Sequence, residues 1–293
     1  MPDNCTYVMG YWKLPGNKKR TINHYFTYMP NTFKMLENKQ IVFFYGDDDI
    51  LEYVQQFMNK INFMAIKINI CDLPAYTITE AYLQSCKLQD NSYLVKQHDT
   101  KGLIHYRRDY CESGEDIYRK LISIWMSKVF LIEKVIHENP FHTENFAWID
   151  ASLSRFHMNI NKYEFNPLKI NTYPNDQYYI GKRIYSLAAY MISSKTTWLT
   201  FIDLYKQKLN MLKDSNYAHD EETIIFSIYN DQPKLFGHMW IRIPHEKCEG
   251  LLCSFIKHEN RLNNGGTHCC LGCKQNEKHG PLCRRISFEN NTM

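Results

Sequence analysis

Over the first two-thirds of the chain, short apolar runs alternate with amphipathic stretches. That rhythm predicts strands alternating with helices and a mostly parallel sheet. Thr6 to Trp12 reads as a first strand, Asn23 to Leu36 as a helix, and Ile41 to Tyr45 (IVFFY) as a buried strand. The last of these ends at Gly46-Asp47-Asp48-Asp49, where acidic residues suit the start of a helix from Ile50 to about Lys60. Met64 to Ile70 reads as a third strand. Residues 72–112 carry little periodicity, with one short helix expected over Thr77 to Cys86.

The strongest periodic signal follows. Ile117, Leu121, Ile124, Trp125, Leu131, Ile132 and Val135 recur at helical spacing, behind Ser113 as a cap with Asp116 three residues on. Asn139-Pro140 stops that helix. Phe146 to Ile149 is then a short buried strand ending at Asp150. Residues 155–178 are polar and read as loop. Tyr185 to Ser193 reads as a strand, Thr196 to Leu212 as an amphipathic helix, and Asp220 as the cap of a helix running to Tyr229. Leu235 to Ile243 is the expected last strand. There is no internal repeat and no low-complexity linker.

Composition adds bounds rather than elements. The 293 residues are 44% hydrophobic and 23% charged, as in an ordinary folded protein, and suffice for one large α/β domain with a small appendage. The domain is expected over residues 1–245. After Pro244 the chain turns Cys- and His-rich, so residues 246–293 form a separate C-terminal tail. A net charge of +4, dispersed along the sequence, lacks the basic stripe of a nucleic-acid binder. Lys18-Lys19-Arg20 reads as solvated loop. No segment has the length and apolarity of a membrane span, and Met1 to Trp12 lacks the blocks of a signal peptide. A cytoplasmic location with reduced thiols is the expectation.

Several residues are candidates for chemistry. Asp150 stands at the C-terminal end of a buried strand, where open α/β sheets place ligands. It either caps the following turn or holds a divalent cation that neutralises a diphosphate. Lys128 lies near the apolar stripe of the long helix. It either snorkels to water or meets an anion such as a diphosphate. His219-Asp220-Glu221-Glu222 opens a late helix. Its acids suit the helix dipole, and Asp220 or Glu221 could instead position or deprotonate an acceptor hydroxyl. Asp47, Asp48 and Asp49 cap a helix, or one of them binds a ribose or base. His238 is a structural histidine or a metal ligand. In the tail, Cys270 and Cys273 have CxxC spacing, with His279 and Cys283 close behind, a set that suits tetrahedral zinc. The other reading is a tail of reduced cysteines.

Four segments in order, FFYGDDD (43–49), IWMSKVFLIEKVIHENPF (124–141), NFAWIDASLSRF (145–156) and HDEETIIFSIYNDQPKLF (219–236), resemble the HtrL/YibB-like proteins over roughly residues 6–240. That group looks like GT-A glycosyltransferases associated with surface polysaccharide biosynthesis. The resemblance implies a GT-A-like mixed, mostly parallel sheet flanked by helices. It also implies a nucleotide-sugar donor, a glycan or glycoconjugate acceptor, and Mn or Mg at the donor. Carried over, Asp150 takes the place of the first acid of a DxD-type motif. Ser152 stands where the second acid is common, a departure that bears on metal dependence. Lys128 matches a lysine near the donor diphosphate, and Asp220 and Glu221 match a late acidic pair near the acceptor.

Glycosyl transfer is thus the leading expectation. A nucleotidyltransferase on the same fold would use a similar site. A non-catalytic sugar-nucleotide binder with a zinc-stabilised tail is the alternative from another class. Release of nucleoside diphosphate from a donor without acceptor separates catalyst from binder.

Overall fold

The most apolar runs, Tyr7–Met9, Ile41–Tyr45 and Phe146–Ile149, become buried strands of one sheet because they are apolar enough to be covered on both faces. A computed structural model of the chain describes residues 4–17, 20–58, 62–80, 113–156, 178–182, 186–212 and 220–239. One compact unit takes in Met1–Met158 and Pro167–Trp240. All described residues belong to it.

The elements are β1 (Cys5–Tyr11), α1 (Ile22–Met35), β2 (Gln40–Tyr45), α2 (Asp48–Gln55), β3 (Asn62–Lys67), α3 (Glu115–Glu138), β4 (Asn145–Ile149), β5 (Tyr178–Lys182), β6 (Ser186–Ser194), α4 (Lys195–Leu212), α5 (Glu221–Asp231) and β7 (Phe236–Met239). Short 3₁₀ turns cover Ile70–Asp72, Leu153–Phe156 and Pro233–Leu235. The strands form a seven-stranded sheet in the order β3-β2-β1-β4-β6-β5-β7. The first four are mutually parallel, β6 runs antiparallel to β4 and β5, and β5 and β7 are parallel. The expected mixed, mostly parallel sheet flanked by helices is the architecture found.

Side chains alternate across the sheet, and the two sets find different helices. Val8, Val42, Phe44, Phe146 and Trp148 join one core cluster with α3, α4 and α5. Phe43 points the other way, where Phe33 of α1 packs 5.9 Å from it. Within α1, Pro30 has no N–H to give the carbonyl four residues back. That carbonyl, of Phe26, accepts from the Tyr53 hydroxyl of α2 at 3.1 Å. A break in the helical ladder thereby becomes a tie between helices.

α3 is the centre of the core. Its C-cap residue Asn139 takes a left-handed conformation (φ 38°), and its N–H returns to Val135 O. The Asn139 side chain then exchanges two bonds with the backbone of Thr143, at 3.0 and 3.1 Å, which turns the chain into β4. At the other end the cap expected from Ser113 is not formed. Gly114 holds the N-cap position at φ 87°, a value suited to glycine, and no side chain caps the helix.

Other boundaries moved for local reasons. β3 stops at Lys67 rather than Ile70, because Ile70–Asp72 turns into a 3₁₀ helix and Ile68 O is taken by the Trp12 indole at 2.8 Å. α2 ends at Gln55, short of the expected Lys60. β5 was not expected: its five residues straddle the end of a stretch read as loop, and a register shift at Ile180/Gly181 breaks its pairing. The short helix expected over Thr77 to Cys86 is helical at residues 78–80 and otherwise lies outside the described residues. Among the described residues, no helix is long and apolar enough to cross a membrane.

Candidate functional site

Strand order sets the place of the site. From β1 the chain steps outward to β2 and β3, then returns to lay β4 on the other side of β1. The order therefore reverses between β1 and β4, and their carboxyl ends diverge there into a crevice. A cleft sits at this point, lined by Gly10, Tyr11 and Trp12 after β1 and by Trp148, Asp150 and Ala151 at the end of β4. Leu121, Ile124, Trp125 and Lys128 of α3 form a second wall. Asn17, Arg20, Ile22 and Tyr25, before and within α1, close the side. Its non-protein space, open mouth included, is about 580 Å³.

The Trp12 ring is seated on glycine. A Cβ on Gly10 would lie 2.6 Å from Trp12 ring atoms, and one on Gly46 would lie 2.7 Å from Trp12 Cδ1. The two glycines at the ends of β1 and β2 thus make the floor that lets an indole lie across the strand ends.

Below the cleft is a buried charge cluster. Lys128 Nζ donates to Ala188 O of β6 (3.2 Å) and to Glu221 Oε1 of α5 (3.0 Å), and pairs with Asp150 Oδ1 (3.0 Å). An ammonium has three protons, and these three acceptors use them all. The ring of Trp148 lies 5.8 Å from the same nitrogen. Asp150 Oδ1 also accepts from Trp148 Nε1 (3.0 Å), and its Oδ2 accepts from Arg155 Nη2 (3.1 Å). Arg155 Nη1 donates to Ser152 O (3.0 Å) and to Ser152 Oγ (2.5 Å). The turn bearing Arg155 is itself anchored on α1. There Ser154 N donates to Thr32 Oγ1 (3.1 Å) and Ser154 Oγ to Tyr28 O (2.6 Å). Glu222 completes the frame by accepting from Ala188 N at 3.1 Å.

These contacts decide the protonation states. Burial disfavours charge on Lys128, but Asp150 and Glu221 more than offset it and hold the ammonium above the ordinary lysine value. Burial would likewise raise the Asp150 carboxyl. Lys128 and Arg155 outweigh that and hold it well below the usual carboxylate range. For Arg155 burial prevails, lowering the guanidinium from its usual value against the pull of Asp150. At the cleft, burial raises the Tyr11 phenol, and Tyr25 and Asp47 add to the effect.

The structure therefore brings together Lys128, Asp150 and Glu221, residues far apart in sequence, and joins Ser152 to them through Arg155. Asp220 and Glu221 are buried, and neither lines the cleft. Asp47 is the exposed N-cap of α2, makes no side-chain cap bond, and does not line the cleft. Asp48 and Asp49 pair with Lys67 and Lys13. His238 is placed by its backbone in β7, opposite Ile180. Cys270, Cys273, His279 and Cys283 lie outside the described residues.

A divalent cation does not fit the donors at Asp150. Both carboxylate oxygens already accept from cations or an indole N–H, and Ser152 Oγ faces a guanidinium. Among the described residues no group of three or more His, Cys, Asp or Glu side chains could hold a metal. Sequence reasoning missed Arg155 and Arg20. Arg155 sits five residues beyond Asp150, within NFAWIDASLSRF, and Arg20 belongs to a basic run whose pattern suits solvated loop.

Fold and site together define an α/β protein with a mixed sheet and a crevice at its strand-order reversal. The chain belongs to the HtrL_YibB family, described as bacterial proteins of unknown function, whose model matches residues 7–169. The matched span takes in most of β1, all of α3 and β4, with Lys128, Asp150 and Arg155, and ends before α5. No curated protein matches the chain. Among solved structures it is similar to mouse xyloside xylosyltransferase 1 in its apo form, at 8% identity and TM-score 0.41, over 80% of this chain and 84% of that one. It is also similar to core-mannan synthase A from Aspergillus fumigatus in a Mn/GDP form, at 10% identity and TM-score 0.43, over 82% and 73%. A third is the glycosyltransferase GlyE of Streptococcus pneumoniae, at 8% identity and TM-score 0.35, over 80% and 44%.

Proposed function

We propose that the protein transfers a sugar from a nucleotide-sugar donor to a hydroxyl of a glycan or glycoconjugate. The observation that supports this most is the position of the cleft, outside the carboxyl ends of β1 and β4 where the strand order reverses. Open α/β sheets bind nucleotides at such points. The lining suits that ligand. Tyr11, Trp12, Tyr25, Trp125 and Trp148 offer ring faces to a base or a sugar, and Arg20 supplies a cation. The sequence resemblance points to the same chemistry.

Asp150 and Glu221 enter this proposal as the two anions that hold Lys128 in place. No proton transfer is assigned to Asp220 or Glu221, and no step is routed through Mn or Mg, because the donors at Asp150 do not fit one.

The test is a panel of nucleotide sugars, with and without Mn, followed by thermal shift and by release of nucleoside diphosphate. A bound donor raises the apparent melting temperature, since it binds only the folded state. A transferase then releases nucleoside diphosphate slowly by transfer to water. Folded protein that neither shifts nor releases with any donor refutes the proposal. A shift without release supports a second reading, a non-catalytic nucleotide-sugar binder. One observation favours that reading: the Asp150 carboxylate is fully engaged by Trp148, Lys128 and Arg155.

A further inference from the structure

Two cationic groups in or beside the cleft are already engaged. Lys128 uses its three protons on Asp150, Glu221 and Ala188 O, and Arg155 is turned onto Asp150 and Ser152. Arg20 differs. It lines the same cleft, half-buried, between β1 and α1. Its one hydrogen bond among the described residues runs from its backbone N–H to Asn17 Oδ1, at 3.5 Å. Its guanidinium pairs with no described acid. Asp150, the acid that shares the cleft, is already bonded through both oxygens.

We infer that Arg20 is the residue that grips the phosphoryl oxygens of the bound ligand, at the mouth of the β1–β4 crevice. This inference rests on the nucleotide-sugar proposal and names the group that meets the diphosphate, in place of Lys128. A guanidinium is suited to the task, because its planar fork bonds two oxygens of one phosphoryl group at once. The surroundings agree. Arg20 stands close enough to Arg155 for its field to add to the lowering of that guanidinium, after burial. His24, whose Nε2 is buried without a hydrogen-bond partner, is held below the usual histidine value by burial first, then by Arg20 and Arg155. Two like charges close enough to disfavour one another are relieved by an anion.

The cleft reports its own occupancy, because Trp12, Trp125 and Trp148, three of the chain's five tryptophans, line it. Full-length protein is titrated by tryptophan fluorescence with inorganic pyrophosphate, with ADP, CDP, GDP and UDP, and with the matching nucleosides. Arg20→Ala is expected to weaken pyrophosphate and the preferred diphosphate by about ten- to a hundredfold, the loss of a charged hydrogen bond. It is expected to leave nucleoside affinity unchanged. Arg20→Lys recovers part of the loss, since charge returns without the fork. Parent-like diphosphate binding by Arg20→Ala overturns the inference. So does an equal loss for nucleosides, which would make Arg20 a wall of the cleft, and so does a parent that binds no diphosphate. Donor turnover separates the two claims. Turnover that survives in Arg20→Ala with unchanged donor affinity overturns the inference and leaves the transfer proposal standing. Arg20-dependent pyrophosphate binding without turnover of any donor does the reverse.

Discussion

Replacing Lys128 by methionine removes a cation from a junction of four elements while keeping most of its volume. In the parent, Nζ lies 3.0 Å from both Asp150 Oδ1 and Glu221 Oε1, and the side chains of Lys128 and Glu221 are each 6% exposed. Breaking a buried pair by removing one partner costs about 3–5 kcal/mol, because the other charge stays buried. At about 2–4 °C per kcal/mol for a domain of this size, Lys128→Met should melt roughly 6–20 °C below the parent. Glu221→Gln in the same background removes the stranded anion. The double variant should then be more stable than the sum of the single losses by about 1–3 kcal/mol. The pH dependence carries its own sign. The Lys128 value is raised, so its contribution is complete below the ordinary lysine value near 10.5 and is lost as pH rises through the higher folded value. The Asp150 value is depressed, so its contribution is complete above the ordinary 3.8 and is lost as pH falls toward the lower folded value. The deficit of Lys128→Met should therefore be flat between about pH 5 and 10 and shrink on either side. Calorimetric or circular-dichroism melts across that range are the assay. A single variant within about 0.5 kcal/mol of the parent, additive with Glu221→Gln, would refute the claim that this ion pair is buried and coupled.

Two further substitutions probe the rim. Asp150→Asn keeps the size of the side chain but leaves Lys128 and Arg155 short of an anion. A loss of about 3 kcal/mol or more is expected in denaturant melts, and parent-like stability would mean that Asp150 is not their counter-ion. Gly46→Ala places a Cβ 2.7 Å from Trp12 Cδ1, so the indole must move. Destabilisation of about 1–3 kcal/mol with a shifted tryptophan emission is expected, and an unchanged spectrum and melt would show that Trp12 does not rest on that glycine.

The sheet was legible in the sequence where burial was double-sided. IVFFY and FAWI carry no polar residue, and they became β2 and β4 within one residue of the expected bounds. β5 was not legible, because YYIGK is short, contains a glycine at its register shift, and adjoins a polar stretch. The individual site residues were partly legible. A lysine near the stripe of α3 announces a need for an anion, and a carboxylate at a strand end announces a ligand edge. Their pairing was not, since Lys128 and Glu221 are 93 residues apart and nothing local in either segment names the other. The arginines were hidden for opposite reasons. Arg155 depends on a turn anchored by Ser154 on α1, and Arg20 looked like one more charge in a basic run.

What selects these partners is strand register. Asp150 leaves β4 with its N–H on Ala189 O of β6, at 2.9 Å. The neighbouring residue Ala188 is held from both sides, its N–H by Glu222 and its carbonyl by Lys128. A slip of β6 by one residue along β4 would carry that carbonyl about 3.4 Å away and turn the alternate side chains to the wrong face. Lys128 would then keep two buried anions and lose its third acceptor, while Glu222 would lose the N–H it binds. The bonds of Lys128 and Glu222 to Ala188 form together in the observed register. The separate register of β4 on β1, with Trp148 opposite Val8, sets the end of β4 beside the end of β1, at the crevice where the ligand is expected.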